Sequence, residues 1–163
     1  MARILIVGCG CRGRELAGVL AEAGHAVRGT TRREEALAAI EAAGAEAVLA
    51  DPDRLSTLLA HLDGVSALCW LLGTATGGEE GVAALHGPRL ESIATKLIDT
   101  HVRGLVYEAA GTVSPARLAE GAATARRVGE ANRMPVEIVE EDPRELGEWT
   151  TAAATAVERV LSA

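Results

Sequence analysis

The sequence predicts a three-layer α/β fold, a doubly wound parallel six-stranded sheet in the order 3-2-1-4-5-6. Three observations predict it. Short apolar runs alternate with helical patterns along all 163 residues, and strands separated by helices imply a parallel sheet covered on both faces. Right-handed crossovers then favour this strand order over its alternatives. Finally, apolar residues make up 48% of the chain and charged residues 24%, which suits one globular domain with a core. Neither an internal repeat nor a linker is visible, so residues 1–163 read as a single domain.

Each element has its own signal. Residues 3–8 carry the continuous apolar run of a strand buried on both faces. A helical pattern over 12–23 follows and stops at Gly24, a residue suited to the left-handed turn that ends helices. The second strand is expected at 25–30, and a helix over 33–43 stops at Gly44. Strand three is placed at 46–50, followed by Asp51-Pro52-Asp53 and a short helix to His61. Residues 65–72 form the most apolar stretch and the fourth strand. A loop rich in Gly and Thr, 73–87, leads to a helix from Pro88 to about His101, and strand five is 104–109. Ser114-Pro115 is a helix start, a capping hydroxyl before a proline in the first turn. That helix is expected to reach about Asn132, with a sixth strand at 135–139 and an Ala-rich helix over 148–162.

Composition narrows the function. The net charge is −7 and aromatics are 2%, with no Phe, so neither phosphate-backbone attraction nor base stacking is provided for. Nucleic acid is not an expected partner. No apolar run approaches the ~20 residues that span a bilayer. Met1-Ala2-Arg3 passes straight into Ile4-Leu5-Ile6-Val7 without a signal-peptide layout. Three cysteines are an odd count, and Cys9 and Cys11 lie among glycines. This is not a disulfide framework, and a cytoplasmic location is expected. No histidine or further cysteine stands at zinc-site spacing from that pair, so no metal is expected. The two thiols read as small packing residues; a redox thiol acidified at a helix mouth is the alternative.

Gly8, Gly10 and Gly13 form G-x-G-x-x-G directly after the first strand and at the start of a helix. The first glycine permits a tight turn, the second lets backbone approach a pyrophosphate, and the third lets the helix pack close to the strand. Amides at the helix start, with its dipole, then face the phosphates. The alternative is a glycine-rich turn with no ligand. About twenty residues past Gly8, where an acid would accept from ribose hydroxyls, stand Thr30, Thr31, Arg32 and Arg33. Hydroxyls and guanidiniums suit a 2′-phosphate, which points to NADP over NAD. Arg12, inside the loop, is expected to add a cation near that phosphate. Against this, Arg32 and Arg33 also read as solvated residues opening the next helix, and Glu34 and Glu35 compete for them.

At these residues the sequence resembles the short-chain dehydrogenase/reductase superfamily, and within it the atypical NAD(P)-dependent epimerase/dehydratase-like Rossmann proteins. The stretches that carry the resemblance are "ILIVGCGCRGRELAGVLAEAGHAVRGTTR", "GAEAVLADPDRL", "VSALCWLLG" and "GLVYEAAGTV". It is good over about 1–73, fair at 104–113 and only topological beyond. The resemblance implies that Asp51 sits by the adenine with Pro52 beside it, and that Leu72, Gly73 and Thr74 line the cofactor near its ribose. It also implies a serine on strand five, where this chain has Ala109-Ala110-Gly111. Such reductases use a Tyr and a Lys four residues later, the lysine easing proton transfer from the phenol. Here the single tyrosine is Tyr107, Gly111 stands four residues on, and the single lysine, Lys96, lies upstream. The pair is absent, and the chain stops where family members continue into a substrate-binding region.

The remaining candidates are few. Glu108, near the carboxyl end of strand five, is a weak catalytic candidate as a general acid or base, with a hydrogen bond to a nearby helix terminus as the alternative. Tyr107 reads as core or interface. His86 and Arg89 would face the nicotinamide end, or His86 is a solvated loop residue. The long loop 73–87, with Gly77-Gly78, reads as a lid or binding segment. The last helix is expected to pack on the sheet, which leaves a homodimer open. Two functions stand: an NADP-binding atypical reductase for a small molecule, its donor groups unusual or supplied by a partner chain, and a non-catalytic dinucleotide sensor or regulatory module.

Overall fold

The computed structural model describes residues 1–163. Strands β1 (Arg3–Val7), β2 (Ala26–Thr31), β3 (Glu46–Leu49), β4 (Ala67–Trp70), β5 (Gly104–Glu108) and β6 (Val136–Val139) form one sheet. All pairings are parallel and the order is β3-β2-β1-β4-β5-β6, as expected. The helices are α1 (Cys11–Glu22), α2 (Leu37–Ala42), α3 (Leu55–Leu59), α4 (Glu79–Leu85), α5 (Pro88–Leu97), α6 (Pro115–Asn132) and α7 (Leu146–Ser162).

Alternation along each strand sorts the side chains onto two faces. Leu5, Val7, Leu68, Trp70, Leu105 and Tyr107 meet Leu58 of α3, Leu85 of α4, Ile93 of α5 and Ala125 of α6. Ile4, Ile6, Cys69 and Val106 meet Leu16 of α1, Ile40 of α2 and Trp149, Ala153 and Val157 of α7. The Ala-rich last helix thus packs on the sheet. A Cβ at Gly104 of β5 would stand 2.5 Å from the Val160 Cβ, so α7 lies against bare backbone there.

Helix ends follow their sequence signals. Ser114 caps α6 by accepting from the Arg117 amide at 3.3 Å, and Gly24 and Gly44 adopt φ of +94° and +96° just past α1 and α2. Two elements differ from expectation. The second helix is a short 3-10 turn, Glu34–Ala36, followed by only six α-helical residues. The segment 73–87, expected as a loop, contains α4. Tertiary anchoring accounts for α4: the Trp70 indole N–H donates to the Leu85 carbonyl at 3.0 Å, and Leu85 is buried in the core. No helix is long and apolar enough to cross a membrane.

Candidate functional site

A cleft of about 540 Å³ opens at the carboxyl ends of β1, β2 and β4, where the strand order reverses and ligands of open parallel sheets bind. Gly8, with φ +86°, turns the chain out of β1, and a Cβ there would overlap the Leu71 carbonyl. Gly13 is buried, and its Cβ would press on the Gly8 carbonyl at 3.0 Å, so α1 sits close over the strand. Gly10 is different. Its φ of −83° suits any residue, and no protein atom lies within 4 Å of where its Cβ would be. Nothing in the protein requires a glycine at that point. The first turn of α1 has no side-chain cap, so its amides remain free to meet an anion.

Of the residues singled out in the sequence, Gly8, Cys9, Gly10, Arg12, Thr30, Thr31, Arg32, Pro52, Leu72 and Thr74 line this cleft. Cys11, Gly13, Asp51 and Gly73 do not. Cys11 is exposed at the helix start. Asp51 turns its carboxylate back to accept from the Asp53 amide at 2.9 Å, and it is Asp53 that reaches the cleft. Thr30 is buried, while Arg32 and Arg33 are exposed. Arg33 pairs with Glu35 at 3.9 Å, a weak solvated contact. Sequence reasoning passed over Arg14, which lines the cleft, and Gly81 and Val82 of α4, which form part of its wall.

Arg12 does not join the arginines at the β2 end. Its guanidinium turns across β1 to the other half of the sheet and makes a bidentate pair with Glu108, which is fully buried. A third donor, Nη1, reaches Thr74 Oγ1 at 2.9 Å, and the cation lies 5.7 Å from the Trp149 ring centre. The Gly73 amide donates to Glu108 Oε1 at 2.8 Å. Glu108 therefore fastens the glycine loop to the segment after β4.

His86 is not a solvated loop residue. It closes α4 and is buried. Its Nε2 donates to the Leu72 carbonyl at 2.9 Å, so Nδ1 accepts from the Tyr107 hydroxyl at 2.6 Å. Burial lowers the imidazole pKa against the Leu72 carbonyl and Glu108, which oppose the shift, while Arg117 adds to it. Burial first, and then the Glu108 charge, push the Tyr107 phenol up. Arg89 reaches Asp53 at 3.8 Å. The thiols of Cys9 and Cys69 are raised from 9.0 to about 11 and about 12, chiefly by burial. Cys9 is thus the opposite of an acidified redox thiol; it fills the space beside Gly29, whose Cβ would meet its sulfur at 2.7 Å.

A second cavity, about 710 Å³, adjoins the cleft beyond β5 and β6. Pro115, Ala119, Ala122 and Arg126 project into it from α6, and Glu140, Asp142 and Arg144 from the β6–α7 connection. Sequence reasoning passed over this wall, although the spacing of Pro115, Ala119, Ala122 and Arg126 along one face of α6 is a signal that could have marked it.

No family model matches the chain, and no curated protein matches it in sequence. Solved structures do. Vestitone reductase from alfalfa superposes with a TM-score of 0.66 at 16% identity, over 86% of this chain and 56% of that one. Triphenylmethane reductase from Citrobacter sp., complexed with NADP(H), gives 0.64 at 16% identity, over 85% and 49%. Pen from Bacillus thuringiensis gives 0.80 at 9% identity, over 96% and 65%. The chain spans about half the length of the two reductases. These likenesses establish the fold as a Rossmann type.

Proposed function

We propose that this chain binds a nicotinamide dinucleotide in the cleft, NADP(H) in preference to NAD(H), as an atypical reductase without the Tyr/Lys pair. The open space at Gly10, before an uncapped helix start, carries the reading. The pyrophosphate belongs over Gly8–Gly13, the 2′-phosphate among Thr30, Thr31 and Arg32, and the adenine beside Pro52. Leu72 and Thr74 flank the nicotinamide ribose. When bound, the nicotinamide would supply a hydride donor. This chain's residues would bind and orient it, and the proton donor lies outside the familiar pair.

A second reading, a non-catalytic dinucleotide sensor, is supported by one observation. The only tyrosine is sealed in the core against His86, and no lysine lines either cavity. Calorimetry with NADPH and NADH, followed by NADPH oxidation against aldehydes, ketones and quinones, tests both readings. A hydrogen bond to a charged group is worth roughly 1.5–3 kcal/mol, so Arg32→Ala should weaken NADPH about tenfold or more and leave NADH unchanged. Equal affinity for the two coenzymes would end the NADP preference. Tight NADPH binding with no turnover on the panel would favour the sensor.

A further inference from the structure

Helix α4 is held at one end only. Its C-terminal end is fixed by the buried Leu85 and by the Trp70 indole on the Leu85 carbonyl. Its other end is loose. Residues 76–81 are all exposed, and no side chain caps the helix start. A Cβ on Gly77, Gly78 or Gly81 would meet nothing within 4 Å, and Gly77 takes a φ of +132°. Gly77 and Gly78 precede α4 and Gly87 comes just past it, so backbone that turns freely flanks both ends. The helix is also a wall: Gly81, Val82 and Leu85 line the cleft.

His86 locks the fixed end. Its Nε2–H donates to the Leu72 carbonyl, which can only accept, and its Nδ1 accepts from the Tyr107 hydroxyl. One imidazole thereby ties α4 to β5 and to Leu72, which lines the cleft. Both bonds fit a single protonation state. A proton on Nδ1 would set a donor against a donor. The phenol would have to rotate its own proton away, and it has no second hydrogen-bond partner. The cation itself would be buried. Nearby charges do not relieve this. Glu108 of β5 favours a cation but is already held by Arg12, and Arg117 of α6 opposes one while pairing with Glu120. Glu80 of α4 lies along the same groove as His86, and Arg89 of α5 turns to Asp53. We infer that α4 is a hinged flap over the cleft, latched by neutral His86, and that a proton on His86 releases it and loosens the cleft's hold on its ligand. Burial keeps the folded imidazole below the usual 6.5. The latch is therefore at full strength above that pH and weakens as pH falls from there. Acid regulation is thus added to the proposed function, on which only the choice of ligand rests.

Hydrogen exchange of the free protein between about pH 7 and pH 5, corrected for the intrinsic pH dependence of exchange, tests the flap. The opening constant of amides in 76–86 should rise severalfold, by at most about tenfold per pH unit for one proton, while α1 and α7 stay protected. Glutamine carries a donor and an acceptor but does not titrate, so His86→Gln should keep the flap closed across the range. His86→Ala should leave it as open at neutral pH as the wild type is in acid. Without any variant, the nitrogen-15 signature of His86 at neutral pH should be the neutral Nε2–H tautomer. Acid opening equal in wild type and His86→Gln, opening shared by α1 and α7, no opening in His86→Ala, or an Nδ1–H tautomer would overturn the inference. The ligand probe is NADP+, the acid-stable form of the coenzyme. Its dissociation is compared between wild type and His86→Gln at each pH, which cancels the titration of its own phosphate near about pH 6. Dissociation should quicken severalfold in the wild type alone, and equal rates would overturn the flap's control of the cleft. Failure of NADP+ to bind at any pH would overturn only the dinucleotide reading, with the flap judged by exchange.

Discussion

Arg12 shows how one side chain can be drawn from the task its place in the chain suggests. A cation in a phosphate loop is expected to face phosphate, yet a carboxylate 96 residues away claims it. With Arg12 13% exposed and Glu108 fully buried, breaking the pair from one side leaves a charge in the interior at a cost of about 3–5 kcal/mol. Arg12→Met should lower the unfolding free energy by that amount in urea titrations, and adding Glu108→Gln should recover part of it. A change below about 0.5 kcal/mol, the scale of an exposed pair, would show that the pair is solvated. The thiols make a second residue-scale case. Cys9 and Cys69 are raised to about 11 and about 12 from 9.0, so the folded chain keeps protons that the unfolded chain releases. Stability should be flat with respect to these two groups below about pH 9 and fall as pH rises from there toward 11–12. In the native protein at pH 8 a disulfide reagent should label Cys11 alone, with all three thiols reacting in denaturant. Labelling of Cys9 at a comparable rate would contradict its burial.

Elements pack here by close approach at glycines. Glycine inside a helix ordinarily costs up to about 1 kcal/mol relative to alanine, so replacing it should help wherever there is room. Gly147, in the first turn of α7, has no atom within 4 Å of the missing Cβ, and Gly147→Ala should stabilise by up to about 0.5 kcal/mol, below the mid-helix figure. Gly121 of α6 reverses the sign, because its Cβ would overlap the Tyr107 hydroxyl. Gly121→Ala should destabilise by about 1–3 kcal/mol and disturb the Tyr107–His86 bond. Paired thermal melts of the two variants check both directions. The helices themselves were largely legible from the sequence: Ser114-Pro115 opens α6 and Gly24 closes α1, since both signals act within one turn. Helix α4 was not. Its seven residues carry too little periodicity, and what holds it is the Trp70 indole on the Leu85 carbonyl, a contact the local pattern does not encode.

At the scale of the whole molecule, the sheet divides the interior into two cores that no single element could complete. Helix α7 is the last to arrive and brings Trp149, Ala153, Ala156, Val157 and Val160 to one face. Removing 146–163 strips that face of β4, β5 and β6. Fully burying one large apolar side chain is worth about 1.5–3 kcal/mol, and domain stabilities are only about 5–15 kcal/mol. The truncated chain should therefore lose cooperative thermal unfolding in circular dichroism. A truncated chain that still melted sharply would show that the sheet does not need α7.

The sequence by itself determined the strand order, the glycine loop at the first crossover, the basic turn after β2 and the lack of a Tyr/Lys pair. These follow from periodicity, spacing and residue type, which act over a few neighbours. Only the tertiary structure decided that Arg12 joins Glu108, that His86 and Tyr107 close on each other in the core, and that Thr74 stands where two cavities meet. Burial makes each unpaired polar group seek a partner, and the nearest one in space lies 21 residues away along the chain for His86 and 96 for Arg12.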